Sequence, residues 1–160
     1  MRRAVGPALL ASIFGCFGCT SVDPGPNFSP VETSFDSDYF YCHVEPEFIF
    51  ARGCGAGDPA KGETNSCHFT ASAVSGMVLY DHPVVDCAGG DHPVDRTQIG
   101  TGSAAQSNLE SVSFEMSKDY MSAPLFLRPS GGAGSSLPHP RAIFDPTDAR
   151  VLLLLSTWAK

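Results

Sequence analysis

Cys54-Gly55-Ala56-Gly57-Asp58-Pro59-Ala60-Lys61-Gly62-Glu63-Thr64-Asn65-Ser66-Cys67-His68 is the stretch on which the reading of this 160-residue chain turns. Two thiols stand with twelve residues between them, and a histidine directly follows the second. The intervening residues are Gly-rich and polar, which reads as a surface loop. Gly55, Gly57, Pro59 and Gly62 make it sterically possible for that segment to loop out.

Upstream, Asp36-Ser37 can cap a helix running through Asp38-Tyr39-Phe40-Tyr41-Cys42-His43-Val44. Phe40, Val44 and Phe48 recur every four residues and give it one apolar face. Pro46 is expected to kink or restart that helix, since it has no N–H and clashes with the preceding turn. Downstream, Phe69-Thr70-Ala71-Ser72-Ala73 reads as a short helix, and Val78-Leu79-Tyr80 as a short strand or a helix end. Residues 81–108 read as loop, and 109–116 carry a weak apolar pattern. At the C-terminus, Asp145 with Pro146 in the first turn suggests a helix whose Leu run and Trp158 form a buried face. The expected fold is mostly α with long loops.

The N-terminus reads as an export signal. Met1-Arg2-Arg3 is a positive start, Ala4 to Phe17 is apolar and too short to span a bilayer, and Gly15-Cys16 is a small residue before a cysteine. This is the pattern of a bacterial lipoprotein signal over residues 1–15, with Cys16 lipidated or, alternatively, Cys19. Residues 16–35 are polar and Pro-rich and read as a lipidated tether, with one domain over 36–160. No Asp follows either cysteine in Phe17-Gly18 or Thr20-Ser21, which favours the outer membrane. Lipid would be the membrane anchor.

Cleavage would remove two arginines, leaving 8 basic against 17 acidic residues, a net charge of −9. Such a balance argues against nucleic acid and anionic membrane surfaces as partners. Sixteen Gly, thirteen Pro and few charges point to a loop-rich domain held by covalent bonds or built on a cofactor. No Gly-x-Ser-x-Gly elbow and no phosphate-binding Gly loop is present, since Gly131-Gly132-Ala133-Gly134-Ser135-Ser136 precedes no helix.

A Cys-His pair with a second Cys upstream is the arrangement that holds a c-type haem. The thiols form thioethers to the porphyrin and the histidine coordinates iron. The chain resembles the cytochrome c-like domains of exported bacterial proteins, which read in outline Phe…Val-x-Pro…Cys…Cys-His; here these are Phe40, Val44, Pro46, Cys54, Cys67 and His68. Such domains continue with Ser-x-Leu, a basic residue before Pro, a Gly-Gly pair and a His, here Ser122, Leu125, Arg128, Pro129, Gly131, Gly132 and His139. An Asp-rich turn, Asp145 to Asp148, then leads into a Leu- and Trp-containing helix, Val151 to Trp158. The resemblance covers most of residues 38–160, and departs from the usual two-residue thiol spacing.

The resemblance implies haem c bound through Cys54 and Cys67, with His68 as proximal ligand. The second ligand would be His139, or else Met116 or Met121. It further implies single-electron transfer to a redox protein partner in the cell envelope, and no enzymatic activity of the chain's own. The competing reading is a haem-free lipoprotein with a structural or binding role, stapled by Cys54–Cys67 and Cys42–Cys87 disulfides. Cys42–Cys87 suits both readings. A third reading, a metal site drawn from His43, His68, His82, His92 and the cysteines, lacks the close Cys pairs that structural zinc prefers. His82 and His92 each precede Pro in polar loops and are expected to be solvated, as is His43 on its helix.

Overall fold

A computed structural model describes residues 34–57, 59–61, 67–70, 76–131 and 139–160. The expected signal, Cys16 and Cys19, the tether up to residue 33, the helix over Ala71-Ser72-Ala73 and loop residues 132–138 lie outside these. Among the described residues there is helix and no strand, and Val78-Leu79-Tyr80 is irregular chain.

Asp36 opens the first helix. Its Oδ1 accepts from the N–H of Asp38 and of Tyr39 at 2.9 and 3.0 Å, which satisfies two orphan donors of α1 (Ser37–Tyr39). The chain then widens into a π-helix, Phe40–Phe50. The N–H of Ala51 reaches the carbonyl of Pro46, and that of Cys54 reaches Ile49, five residues back and both at 3.0 Å. Pro46 therefore does not restart the helix, which runs through it unbroken. The clash it makes with the carbonyl four residues back belongs to the α register, and the five-residue register relieves it. Two adjacent rows of this wide helix are buried, Phe40, Val44, Phe48 and Tyr41, Glu45, Ile49.

Two other boundaries differ from the sequence reading. Helix α2 (Ala104–Phe114) begins inside the segment read as loop, where the Ser103 hydroxyl accepts from the Gln106 N–H at 3.1 Å. Its buried row is Ala105, Asn108 and Val112, so one small and one polar residue hide the period. Helix α3 (Pro124–Leu127) is short and starts with proline. Helix α4 (Ala149–Trp158) is capped by Asp148, not Asp145. Asp145 instead accepts from the N–H and hydroxyl of Thr147 at 2.8 and 2.6 Å, closing a turn of its own ahead of the helix.

The core lies where α4 crosses the wide helix. Trp158 packs against Phe40 and Phe35, with ring centroids 5.3 and 4.9 Å away, and its indole N–H donates to the Asp36 carbonyl at 3.0 Å. Phe144 extends the cluster to Phe48 and Phe126. Each large side chain fully buried in this way contributes about 1.5–3 kcal/mol. Arg150 grips Glu47 with two hydrogen bonds, and Arg52 donates to Asp148 at 2.7 Å. The irregular segment after Tyr80 is fastened to the wide helix by the Cys42–Cys87 disulfide, whose Cα atoms are 5.7 Å apart. His43 with Asp91, and Asp38 with His92 and Arg96, add to that attachment. Among the described residues, no helix is long and apolar enough to cross a membrane.

Candidate functional site

The wide helix delivers Cys54 to the site. After Phe50 the chain turns, and the Cys54 N–H closes that turn on Ile49. The segment that follows comes back on itself. The His68 N–H donates to the Cys54 carbonyl at 3.0 Å, and the Phe69 N–H to the Gly55 carbonyl at 3.1 Å. Cys67 and His68 are thereby set beside Cys54 although twelve residues separate the thiols in sequence. Gly55 is required there, because a Cβ would lie 2.3 Å from the Phe69 ring. The His68 carbonyl in turn accepts from the Leu79 N–H at 2.8 Å, which fixes the turn against the buried Met77-to-Leu79 segment.

Neither Cys54 nor Cys67 is in a disulfide. Burial, with Cys67 close by, pushes the Cys54 thiol up to about 12, so its sulfur stays protonated at neutral pH. Arg141 and Arg52 pull the other way, and burial outweighs them, so Cys54 is not a reactive thiolate.

His68 and His139 stand together, with ring centroids 6.4 Å apart and ring planes inclined by 27°. Both are held in the same manner. The Nδ1 of His68 lies 2.7 Å from the Met77 carbonyl, and that of His139 lies 2.7 Å from the Arg141 carbonyl. A carbonyl only accepts, so each Nδ1 carries the proton and each Nε2 keeps its lone pair when the ring is neutral. Burial holds His68 below the ordinary imidazole range, outweighing the Met77 carbonyl, and His139 acts in the same direction as burial. The buried Glu115 carboxylate lies near enough to act on His68 and is paired with Arg128 at 3.0 Å. Met116 is buried in the apolar core, and Met121 is 53 % exposed on a short turn.

The other histidines are bound to carboxylates and not simply solvated. His82 is the largest departure. Its Nε2 is 3.0 Å from Glu45 Oε1, and its Nδ1 donates to the Pro83 carbonyl at 2.8 Å. The Asn108 side-chain amide donates to the same Glu45 oxygen at 2.9 Å. Glu45 is 1 % exposed, and its Oε2 is buried with no hydrogen-bond partner among the described residues. His43 pairs with Asp91 at 2.7 Å, and the exposed His92 pairs with Asp38 at 3.0 Å. Sequence reasoning missed the Glu45–Asn108–His82 cluster. The available signal was a carboxylate four residues from both Tyr41 and Ile49, inside a buried row.

Among the described residues no group of three or more His, Cys, Asp or Glu side chains could hold a metal ion by itself. Compared with family models, curated proteins and solved structures, the chain matches none.

Proposed function

We propose that this chain is a cell-envelope electron carrier holding one haem c, linked through Cys54 and Cys67 and ligated by His68 and His139. The single observation that carries this reading is the pair of imidazoles. An imidazole nitrogen binds a transition metal at about 2 Å, so two rings ligating one ion from opposite sides have centroids roughly 6 Å apart. His68 and His139, with centroids 6.4 Å apart, stand at a separation compatible with that spacing. Each Nδ1–H rests on a backbone carbonyl, as ligating histidines commonly require for a fixed tautomer. A bare ion would need further protein ligands; a porphyrin brings four nitrogens of its own, so two side chains suffice. Two imidazole nitrogens and two thiols are the donor set that a haem c would need, which supports the reading.

A haem held here would supply one-electron chemistry at its iron. The chain's own part is to orient the two imidazoles, keep His68 neutral and present two thiols on one turn. With His139 in place of either methionine, the potential of a haem held here would lie lower, since a thioether favours the ferrous state more than a second imidazole does. The remainder of the proposal is a lipid anchor at Cys16 or Cys19, location at the outer membrane, and a redox protein as partner. It involves no catalysis by the chain itself.

Titration of the purified apo-protein with haemin tests the ligand set. The expected product is a six-coordinate, low-spin species with one haem per chain, lost in His68→Ala and in His139→Ala. No haemin binding, or binding indifferent to both substitutions, sinks the reading. The chain would then be a haem-free lipoprotein, and thiol labelling of Cys54 and Cys67 before and after reduction would show whether they bridge.

A further inference from the structure

We infer that residues 56–65 are a ten-residue insertion inside a helical Cys-x-x-Cys-His turn, and that they exclude attachment machinery built for the uninterrupted turn; this rests on the haem reading above. In a helix each N–H donates to the carbonyl four residues back. In Cys-x-x-Cys-His the histidine is four residues after the first cysteine. Its N–H would therefore close on that cysteine, and the next residue's N–H on the position after it.

Both of those bonds are present. His68 closes on Cys54 and Phe69 closes on Gly55, at 3.0 and 3.1 Å. Each spans ten residues more than a helical turn would, and the excess is the same for both, so the register is unbroken. Excision of residues 56–65 leaves Cys54-Gly55-Ser66-Cys67-His68, an ordinary attachment sequence. Gly55 is held under the Phe69 ring with no space for a Cβ, which keeps Gly55 itself upstream of the inserted residues.

The chemistry asks nothing of the inserted residues. Cys54 and Cys67 would each add S–H across one vinyl group of the porphyrin. Sulfur bonds to one carbon, the proton goes to the other, and the double bond becomes single. Nothing leaves, and no outside oxidant or reductant enters the balance. The partner implied is a haem lyase that recognises Cys67-His68 and accepts Cys54 from across a loop.

The test compares the full chain with a variant lacking residues 56–65 in a host whose haem c maturation serves Cys-x-x-Cys-His. Covalent haem is read as the Soret absorbance that stays with the polypeptide after denaturation and acid-acetone extraction. The variant is expected to keep its helical circular dichroism and its Cys42–Cys87 disulfide, and to carry at least ten-fold more haem than the full chain. Equal loading, or a folded variant that stays unloaded, overturns the inference. Haemin titration of the full chain judges the haem reading separately. If the variant does not fold, amide exchange in the full chain decides. The His68 and Phe69 amides are expected to exchange at least a hundred-fold slower than unstructured chain, and free exchange at both overturns the register.

Discussion

Glu45 is the residue at which burial and charge conflict most. Burial pushes its carboxyl up, against the pull of Asn108 and His82. His82 already spends its Nδ1 proton on Pro83, so the Nε2–Oε1 hydrogen bond needs one further proton, held on the ring or on the carboxyl. The sign of the pH effect follows from the raised value. Between the ordinary carboxyl range and its folded value, Glu45 binds a proton in the folded chain and not in the unfolded one. Stability therefore falls as pH rises through that window. Glu45→Gln removes the titration and keeps an acceptor for Asn108. Urea unfolding from pH 4 to pH 7 should show the wild type losing stability relative to the variant; parallel curves would contradict this. The cluster was not legible in sequence because Asn108 and His82 lie 63 and 37 residues from Glu45, in segments without apolar periodicity.

At the scale of the element, caps decide where the helices begin. Asp36 was readable because it stands directly before an apolar four-residue repeat. Asp145 and Asp148 are both plausible caps, and local chemistry separates them. Thr147 occupies the Asp145 carboxylate, which leaves Asp148 to receive the Arg150 and Val151 N–H groups at 3.0 and 3.2 Å. The Val151 N–H, aided by Arg52, holds Asp148 below the usual carboxylate range. Its contribution is present above the ordinary carboxyl range and is lost as pH falls through the lowered value. Asp148→Ala should cost about 1 kcal/mol, the common penalty for a lost N-cap. A thermal melt at neutral pH checks this, and an unchanged midpoint would show that the cap contributes nothing. The wide helix was beyond sequence reading for a different reason. Pro46 disfavours an α register but does not say whether the chain breaks or widens; in the folded chain it widens, with Phe48 and Ile49 buried in the core.

For the whole molecule, the Cys42–Cys87 bond closes a span of 45 residues that includes the Cys54-to-His68 turn. Chain-entropy arguments give such a closure about 4 kcal/mol. A Cys42→Ala/Cys87→Ala double variant should lose stability of that order in urea unfolding, and reductant should reproduce the loss in the wild type. A loss below about 1 kcal/mol would mean that the core and the His–carboxylate pairs suffice to hold the segment after Tyr80. The amino-acid order by itself determined the helical class, the Asp36 cap, the apolar face from Phe40 to Phe48 and the adjacency of Cys67 to His68. All of these depend on neighbours along the chain. His139 was reached from sequence through a family resemblance and not from any period or spacing. Only the tertiary structure decided that His139 stands beside His68, that Cys54 receives the His68 amide, and that Glu45 meets His82. These pairings close long stretches of Gly, Pro and polar residues, whose composition carries no register, so the packing of α4 and the wide helix has to set it.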